Sequence, residues 1–323
     1  MPSSTYGDRI TRRACVVVVA VAVLSACGLR AQALEIEKGD SIVIIGNTFA
    51  ERMHLFGYFE TFLHCRFPDH ELKVRNLGWS ADEVTLMPRP RGFASLHESL
   101  EARGADVIFA CVGMNESFRG AKGAEDFRAD LERFVASLLE RKFNGESTPR
   151  IVLVSPIAHE SLGGDLPDGR ARNRMLRLYT DQMSRVAAGR KVGFVDLFTP
   201  TLQRMAAPQE RQLTFNGVHL TEYGYWVVSQ MMARALGLVS EIGAPTGADN
   251  ATAERLRRAV YEKSYQFFFW WRAPNMSYIH GGRRRNRGAL GLGEERARQV
   301  RLIESLDRRI HAMEKPAPGE VWR

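Results

Sequence analysis

Residues 41–50 read Ser-Ile-Val-Ile-Ile-Gly-Asn-Thr-Phe-Ala: a short apolar run, a glycine and a polar pair ahead of a helical pattern. The run predicts a strand over Ser41–Ile45, Gly46 permits a tight turn, and a helix starts near Phe49. The same alternation continues as far as residue 240. Further strands are expected at Leu72–Asn76, Val107–Val112, Ile151–Ser155 and Val192–Val195. Amphipathic helices are expected at Ala50–Cys65, Ser95–Ala102, Glu125–Lys142, Asn173–Ala188 and Glu222–Leu236. Strands joined by crossover helices pair in parallel and are covered on both faces. The fold class expected is therefore α/β, a three-layer α/β/α sandwich around a parallel five-stranded sheet of flavodoxin-like type, followed by a C-terminal helical extension.

Outside that span the composition changes. Arg9, Arg12 and Arg13 precede an apolar run from Ala14 to Ala26, which is the pattern of an export signal and is short for a membrane-spanning helix. Two cleavage points are open. Leu24-Ser25-Ala26-Cys27 resembles a lipobox with cleavage before Cys27, and Ala31-Gln32-Ala33 fits a small-residue peptidase site with cleavage after Ala33. The expected location is periplasmic or extracellular, either as a soluble product or anchored to a membrane through Cys27. The expected organisation is a signal over residues 1–33, an α/β domain over 34–242, a linker over 243–250 containing Pro245 and Gly247, and a basic, aromatic-rich helical extension over 251–323.

The net charge of +8 is carried by that extension, where 16 Lys and Arg face 8 Asp and Glu. Arg283, Arg284, Arg285 and Arg287 could meet an anionic surface such as lipid headgroups or acidic polysaccharide; for an exported protein nucleic acid ranks last. A solvated arginine-rich face is the plainer alternative. The aromatic run Phe267, Phe268, Phe269, Trp270 and Trp271 reads either as a surface docked on the α/β domain or as a sugar-stacking platform. Glu294–Met313 reads as a charge-laced helix. Cys65 and Cys111 remain after signal removal, and a disulfide between them is possible but unforced. No histidine, cysteine or carboxylate spacing resembles a zinc motif, so neither a metal nor another cofactor is expected.

Chemistry is expected at the carboxyl ends of the strands. Thr48 follows the first strand, Gly78 the second and Asn115 the third, while His219 precedes the last helix of the sandwich. A hydroxyl, two oxyanion donors and an imidazole are the parts of a nucleophilic site. Each also has an ordinary reading: Thr48 as a helix N-cap, Gly78 and Asn115 as loop residues, and His219 as a cap or surface residue.

The order of these residues resembles the SGNH, or GDSL-type, hydrolase superfamily, whose blocks read Gly-Asp-Ser, an oxyanion Gly, Gly-x-Asn-Asp and Asp-x-x-His. The likeness covers about residues 40 to 240. It is strongest in Asn216-Gly-Val-His-Leu-Thr-Glu-Tyr-Gly-Tyr225. The resemblance implies Thr48 as nucleophile, His219 as base, Asn216 as the group orienting that base, and Gly78 with Asn115 as oxyanion hole. Thr48 and Asn216 depart from the serine and aspartate of the pattern, as do Asn47 and Glu116 from its other acids. A substitute carboxylate could come from Asp82, Glu83, Glu116, Glu160 or Glu222, and His159 at the fourth strand's end is a further cleft candidate. The function implied is ester hydrolysis, expected on an acylated small molecule or an O-acyl group of a glycan. The alternative is a catalytically impaired module that keeps the cleft to bind a glycan or peptide.

Overall fold

Five short strands, β1 (Ser41–Gly46), β2 (Lys73–Asn76), β3 (Val107–Cys111), β4 (Arg150–Val154) and β5 (Gly193–Val195), pair in parallel in the order β2-β1-β3-β4-β5. The computed structural model describes residues 34–207, 211–238, 251–274, 276–280 and 292–315. The signal at 1–33, the linker at 243–250 and the arginines at 283–287 lie outside the described residues. Among the described residues no helix is long and apolar enough to cross a membrane.

Side chains alternate across a strand, and both faces of β1 are covered. Ile42 and Ile44 join a core cluster with Phe59 and Leu63 of α2 (Tyr58–Arg66) and Val228 and Met232 of α7 (Glu222–Ala235). Val43 and Ile45 enter a second cluster with Phe127 and Leu131 of α4 (Ala124–Leu139) and Tyr179 and Met183 of α5 (Arg170–Arg190). The result is a three-layer sandwich. A short helix, α3 (Leu96–Glu101), starts at a capping box made by Ser95 and Glu98.

Three local expectations change. The single helix expected over Ala50–Cys65 is broken into α1 (Thr48–Arg52), a 3₁₀ turn at Met53–Leu55, and α2. The break falls at Gly57, whose φ of 70° is left-handed and whose Cα packs against Val260. An unanticipated helix, α6 (Phe198–Ala206), follows β5. Cys65 and Cys111 are free, buried thiols, so the disulfide left open by the sequence is not made.

The extension completes the domain. Helix α8 (Ala251–Trp271) contains the aromatic run in its last turns, a four-residue helix α9 (Met276–Ile279) follows, and α10 (Leu292–Ala312) packs on α8. Leu256 and Val260 of α8 join the first core cluster, whereas Phe267 and Trp271 join the second. The helix therefore reaches both faces past β2, the edge strand. Burial of each such side chain contributes about 1.5–3 kcal/mol.

Polar contacts close the same edge. Lys263, 1% exposed, donates to the Val74 carbonyl at 2.9 Å and to Glu60 Oε2 at 2.8 Å. Arg75 of β2 forms a two-pronged ion pair with Asp307 of α10. Burial opposes ionisation of Glu60, but Lys263 and then His64 hold its carboxyl below the usual range. A sheet edge that would otherwise present open backbone groups is thus covered and charged.

Candidate active site

The sheet order reverses at β1 and β3, and the cleft lies at the carboxyl ends of these strands. Gly46, at φ 122°, has no room for a Cβ against the Cys111 carbonyl, so the two strand ends approach closely. Asn47 then donates its N–H to Cys111 O at 3.1 Å and caps α1, with Oδ1 accepting from Phe49 N at 3.1 Å. Asn47, not Thr48, is the N-cap. Thr48 is left with a hydroxyl that makes no hydrogen bond among the described residues, and it lines the cleft.

The cleft has a volume of about 240 Å³, and Asn47, Thr48, Asn115, Asn216 and His219 all line it. Its remaining walls are largely apolar, from Phe49, Met114, Ile157 and Tyr225 among others, and among the described residues no charged side chain lines it. Two other nucleophile types in the wall are unavailable. Burial pushes the Cys111 thiol far up, and Ser155 Oγ accepts from Leu197 N and Phe198 N at 2.8 and 3.1 Å while donating to Pro156 O.

Asn115 donates Nδ2 to the Asp82 carbonyl at 3.1 Å, which fixes its amide and leaves a second N–H on the same nitrogen. Gly78 is placed differently from its sequence assignment. Its N–H is taken by Asn76 Oδ1 at 2.8 Å, its Cα packs against the backbone of Ala50 and Glu51, and it does not line the cleft. Asn76 also donates to Ala50 O at 2.6 Å, so this corner fastens β2 to α1. Farther along the loop, Ala81 is left-handed at φ 67°, and its N–H has no partner among the described residues. A non-glycine in that region is uncommon, and nothing in the residue type announces it. The loop is also held by the extension: Arg272 pairs with Glu51 at 2.6 Å and lies 4.0 Å over Trp79, while Glu51 accepts from Ser80 N.

The His219 segment is braced from below. Glu160, 3% exposed, accepts from Leu213 N at 3.1 Å, Thr214 N at 2.7 Å and Thr214 Oγ1 at 2.6 Å. Thr214 Oγ1 in turn accepts from Gly217 N at 3.0 Å, and the Gly217 carbonyl accepts from Glu160 N at 2.9 Å. His159 is bound through its backbone to Asn173, and its ring sits behind Gly217, where no Cβ would fit. It does not line the cleft. Glu116 is buried likewise outside it, accepting from Gly113 N and Val84 N at 2.8 and 3.0 Å, with burial raising its carboxyl above the usual range.

Asn216 Oδ1 accepts from Val218 N at 3.2 Å and His219 N at 2.9 Å, a side-chain turn that presents the amide to the ring. His219 Nδ1 lies 3.0 Å from Asn216 Nδ2 and 3.2 Å from Oδ1. The ring stacks on Phe215, over which Arg52 is placed. Burial and then the Arg52 charge lower the His219 pKa, which favours the uncharged imidazole over the imidazolium. The other acids the sequence offered are engaged elsewhere: Asp82 is bidentate with Arg89, Glu83 pairs with Arg119, and Glu222 accepts from the Tyr58 hydroxyl at 3.1 Å.

Comparison with known proteins agrees with the fold. Residues 39–227 match the profile of the GDSL-like Lipase/Acylhydrolase family. A variant of an acetyl-xylooligosaccharide esterase from Geobacillus stearothermophilus is similar at a TM-score of 0.50 and 18% identity, over 65% of this chain and 100% of that one. A GDSL-like lipase structure from Parabacteroides merdae is similar at a TM-score of 0.50 and 20% identity, over 64% of this chain and 99% of that one. The chain spans about half, 49%, of a gut microbial diltiazem-metabolizing enzyme, at a TM-score of 0.49, 20% identity and 64% of its own length. The two likenesses at a TM-score of 0.50 show a shared fold. No curated protein matches the sequence.

Proposed function

The chain belongs to the GDSL-like Lipase/Acylhydrolase family, and on that premise we propose that it cleaves an ester, an O-acyl group on a carbohydrate, at Thr48. The observation that carries this reading is the convergence of Thr48, Asn115 and His219 on one cleft that no charged side chain lines among the described residues. Such walls suit an uncharged acylated substrate, and a fold neighbour named as an acetyl-xylooligosaccharide esterase suggests the carbohydrate. Thr48 Oγ1 attacks the acyl carbon as its proton passes to His219 Nε2. Asn115 Nδ2, with one N–H on Asp82 O and one left over, supports the developing oxyanion. The carbonyl re-forms, the sugar oxygen leaves with the proton from His219, and water attacks the acyl-threonine by the same route. Hydrolysis of acetylated xylo-oligosaccharides or p-nitrophenyl acetate by the wild type, and its loss in His219→Ala, is the expected result. Equal rates in both would sink the reading.

A second reading is favoured by the 3.0 Å contact between Asn216 Nδ2 and His219 Nδ1. A donor at Nδ1 places the ring proton on Nε2, which then cannot take one from Thr48. On this reading the cleft binds a glycan or peptide without turning it over. Glycan binding that persists in Thr48→Ala/His219→Ala, with no hydrolysis in either protein, would select it.

Export is part of the same proposal, with a soluble periplasmic or extracellular product or one anchored through Cys27. Intact mass of the mature protein distinguishes a lipidated Cys27 from a chain beginning at Leu34. A chain that retains residue 1 in the cytoplasm would contradict both.

A further inference from the structure

A second cavity, of about 270 Å³, lies at the amino ends of β1 and β2, the end of the sheet opposite the cleft. Lys73, Arg75, Arg103, Phe267, Trp270 and Glu304 are among the residues around it. Its walls thus come from both the α/β sandwich and the extension.

The charges here are not balanced. Arg75 is matched by Asp307. Arg103 is not matched: its guanidinium lies 5.6 Å over the ring of Phe267 and 4.9 Å over that of Trp270, and among the described residues it meets no carboxylate. Its Nε is buried without a hydrogen-bond partner. Arg296 of α10 lies 4.8 Å over the same Trp270 ring and donates to the Trp270 carbonyl at 2.8 Å, again with no carboxylate partner among the described residues. Trp270 Nε1 is a second buried donor without an acceptor. Glu304 is exposed at the rim and forms no ion pair among the described residues.

Burial, then the neighbouring charges of Arg75 and Arg296, push Arg103 down to about 10. Arg75, Arg103 and Arg296, with Lys73 beside them, outnumber the two carboxylates Asp307 and Glu304, so like charges repel, and buried N–H donors are normally paired. Aromatic faces offset part of the cationic cost but cannot accept an in-plane Nε–H. An oxyanion supplies what is missing, both charge and acceptors.

We propose that this cavity binds a small oxyanion, a phosphate, sulfate or carboxylate group on a molecule of about sugar size, held by Arg103 and the Trp270 indole N–H. The volume sits just below the roughly 300–1,000 Å³ of drug-sized sites, which favours a small ligand over a polymer. Because Arg103 follows α3 while Trp270 and Arg296 belong to α8 and α10, the ligand bridges the sandwich and its extension. Binding to this folded arrangement alone raises thermal stability.

Calorimetric titration of the full chain with sodium phosphate, sulfate and citrate at constant ionic strength, with chloride as reference, tests the site independently of hydrolysis. Saturable binding of at least one of the three is expected, with a melting temperature that rises with its concentration. The preferred probe identifies the class of group. Arg103→Gln should weaken binding about tenfold or more, and Trp270→Phe, which keeps the ring and removes the N–H, should also weaken it. The proposal is overturned by an absence of saturable binding in the wild type up to about 10 mM, or by wild-type affinity in Trp270→Phe and Arg103→Gln alike.

Discussion

Asn216 offers both ends of its amide to one atom, with Nδ2 3.0 Å and Oδ1 3.2 Å from His219 Nδ1. Its oxygen is already the acceptor for two backbone N–H groups, so the turn sets the amide's direction and the shorter contact pairs a donor with the ring nitrogen. Asn216→Asp replaces that donor with an acceptor and secures the proton on Nδ1. Turnover of p-nitrophenyl acetate is expected to rise by about 10² or more, within the roughly 10⁴ lost on the reverse change in a serine protease. No increase in Asn216→Asp would mean that the tautomer is not what limits the site.

Thr48 carries a methyl group on the carbon that bears its nucleophilic oxygen, and its first torsion is stiff. Thr48→Ser keeps the hydroxyl and removes the hindrance, so a gain of about tenfold in turnover, roughly 1.4 kcal/mol, is expected. Thr48→Ala should abolish covalent labelling by a fluorophosphonate. Intact mass spectrometry reads the label directly, and an adduct retained in Thr48→Ala would place the nucleophile elsewhere.

The pH dependence follows from the neutral base. Burial and Arg52 lower the His219 pKa from 6.5, so kcat/KM rises with pH through a midpoint below 6.5 and is level at neutrality. Asn216→Asp adds a negative charge beside the ring and moves that midpoint upward, as does Arg52→Gln by removing a positive one. A pH-rate profile for the three proteins checks the sign of each shift.

Glu160 braces the His219 segment through three accepted hydrogen bonds. Glu160→Ala strands buried donors, each costing about 1–3 kcal/mol, so unfolding in urea should show a loss of about 3 kcal/mol. Glu160→Gln keeps one acceptor oxygen and should lose less. In both, kcat is expected to fall more than KM changes, because the base is displaced while the apolar wall remains.

Lys263→Met leaves Glu60 buried without its counter-charge, at an expected cost of about 3–5 kcal/mol. Lys263→Met/Glu60→Leu removes both charges and should recover most of that loss. Urea midpoints for the single and double variants test the pair, and a double variant as unstable as the single would show that packing, not charge, governs this corner.

The strands were legible because a strand covered on both faces is written as a continuous apolar run, as in Ser41–Gly46 and Val107–Cys111. The break at Gly57 was not, since its reason is Val260, some two hundred residues later. Thr48, Asn115, Asn216 and His219 could be placed in one cleft from their positions after strands and before α7. The loop after β2 could not be resolved. Its glycine is used for packing on α1, while the left-handed residue is an alanine, and a backbone N–H carries no mark in the sequence. Glu160 read as an ordinary acid because its partners, Leu213 and Thr214, are remote in the chain.

Lys263 follows Glu60 by 203 residues. A chain emerging from the ribosome therefore makes the interior carboxylate, the edge strand β2 and the whole His219 segment before the lysine that answers the first two. Until α8 arrives, Glu60 has no ammonium partner and the Val74 carbonyl stays open at a sheet edge, where another strand could add. Completion of this fold is consequently a late event in synthesis, and the stretch that resembles its relatives waits on a stretch that lies beyond the likeness.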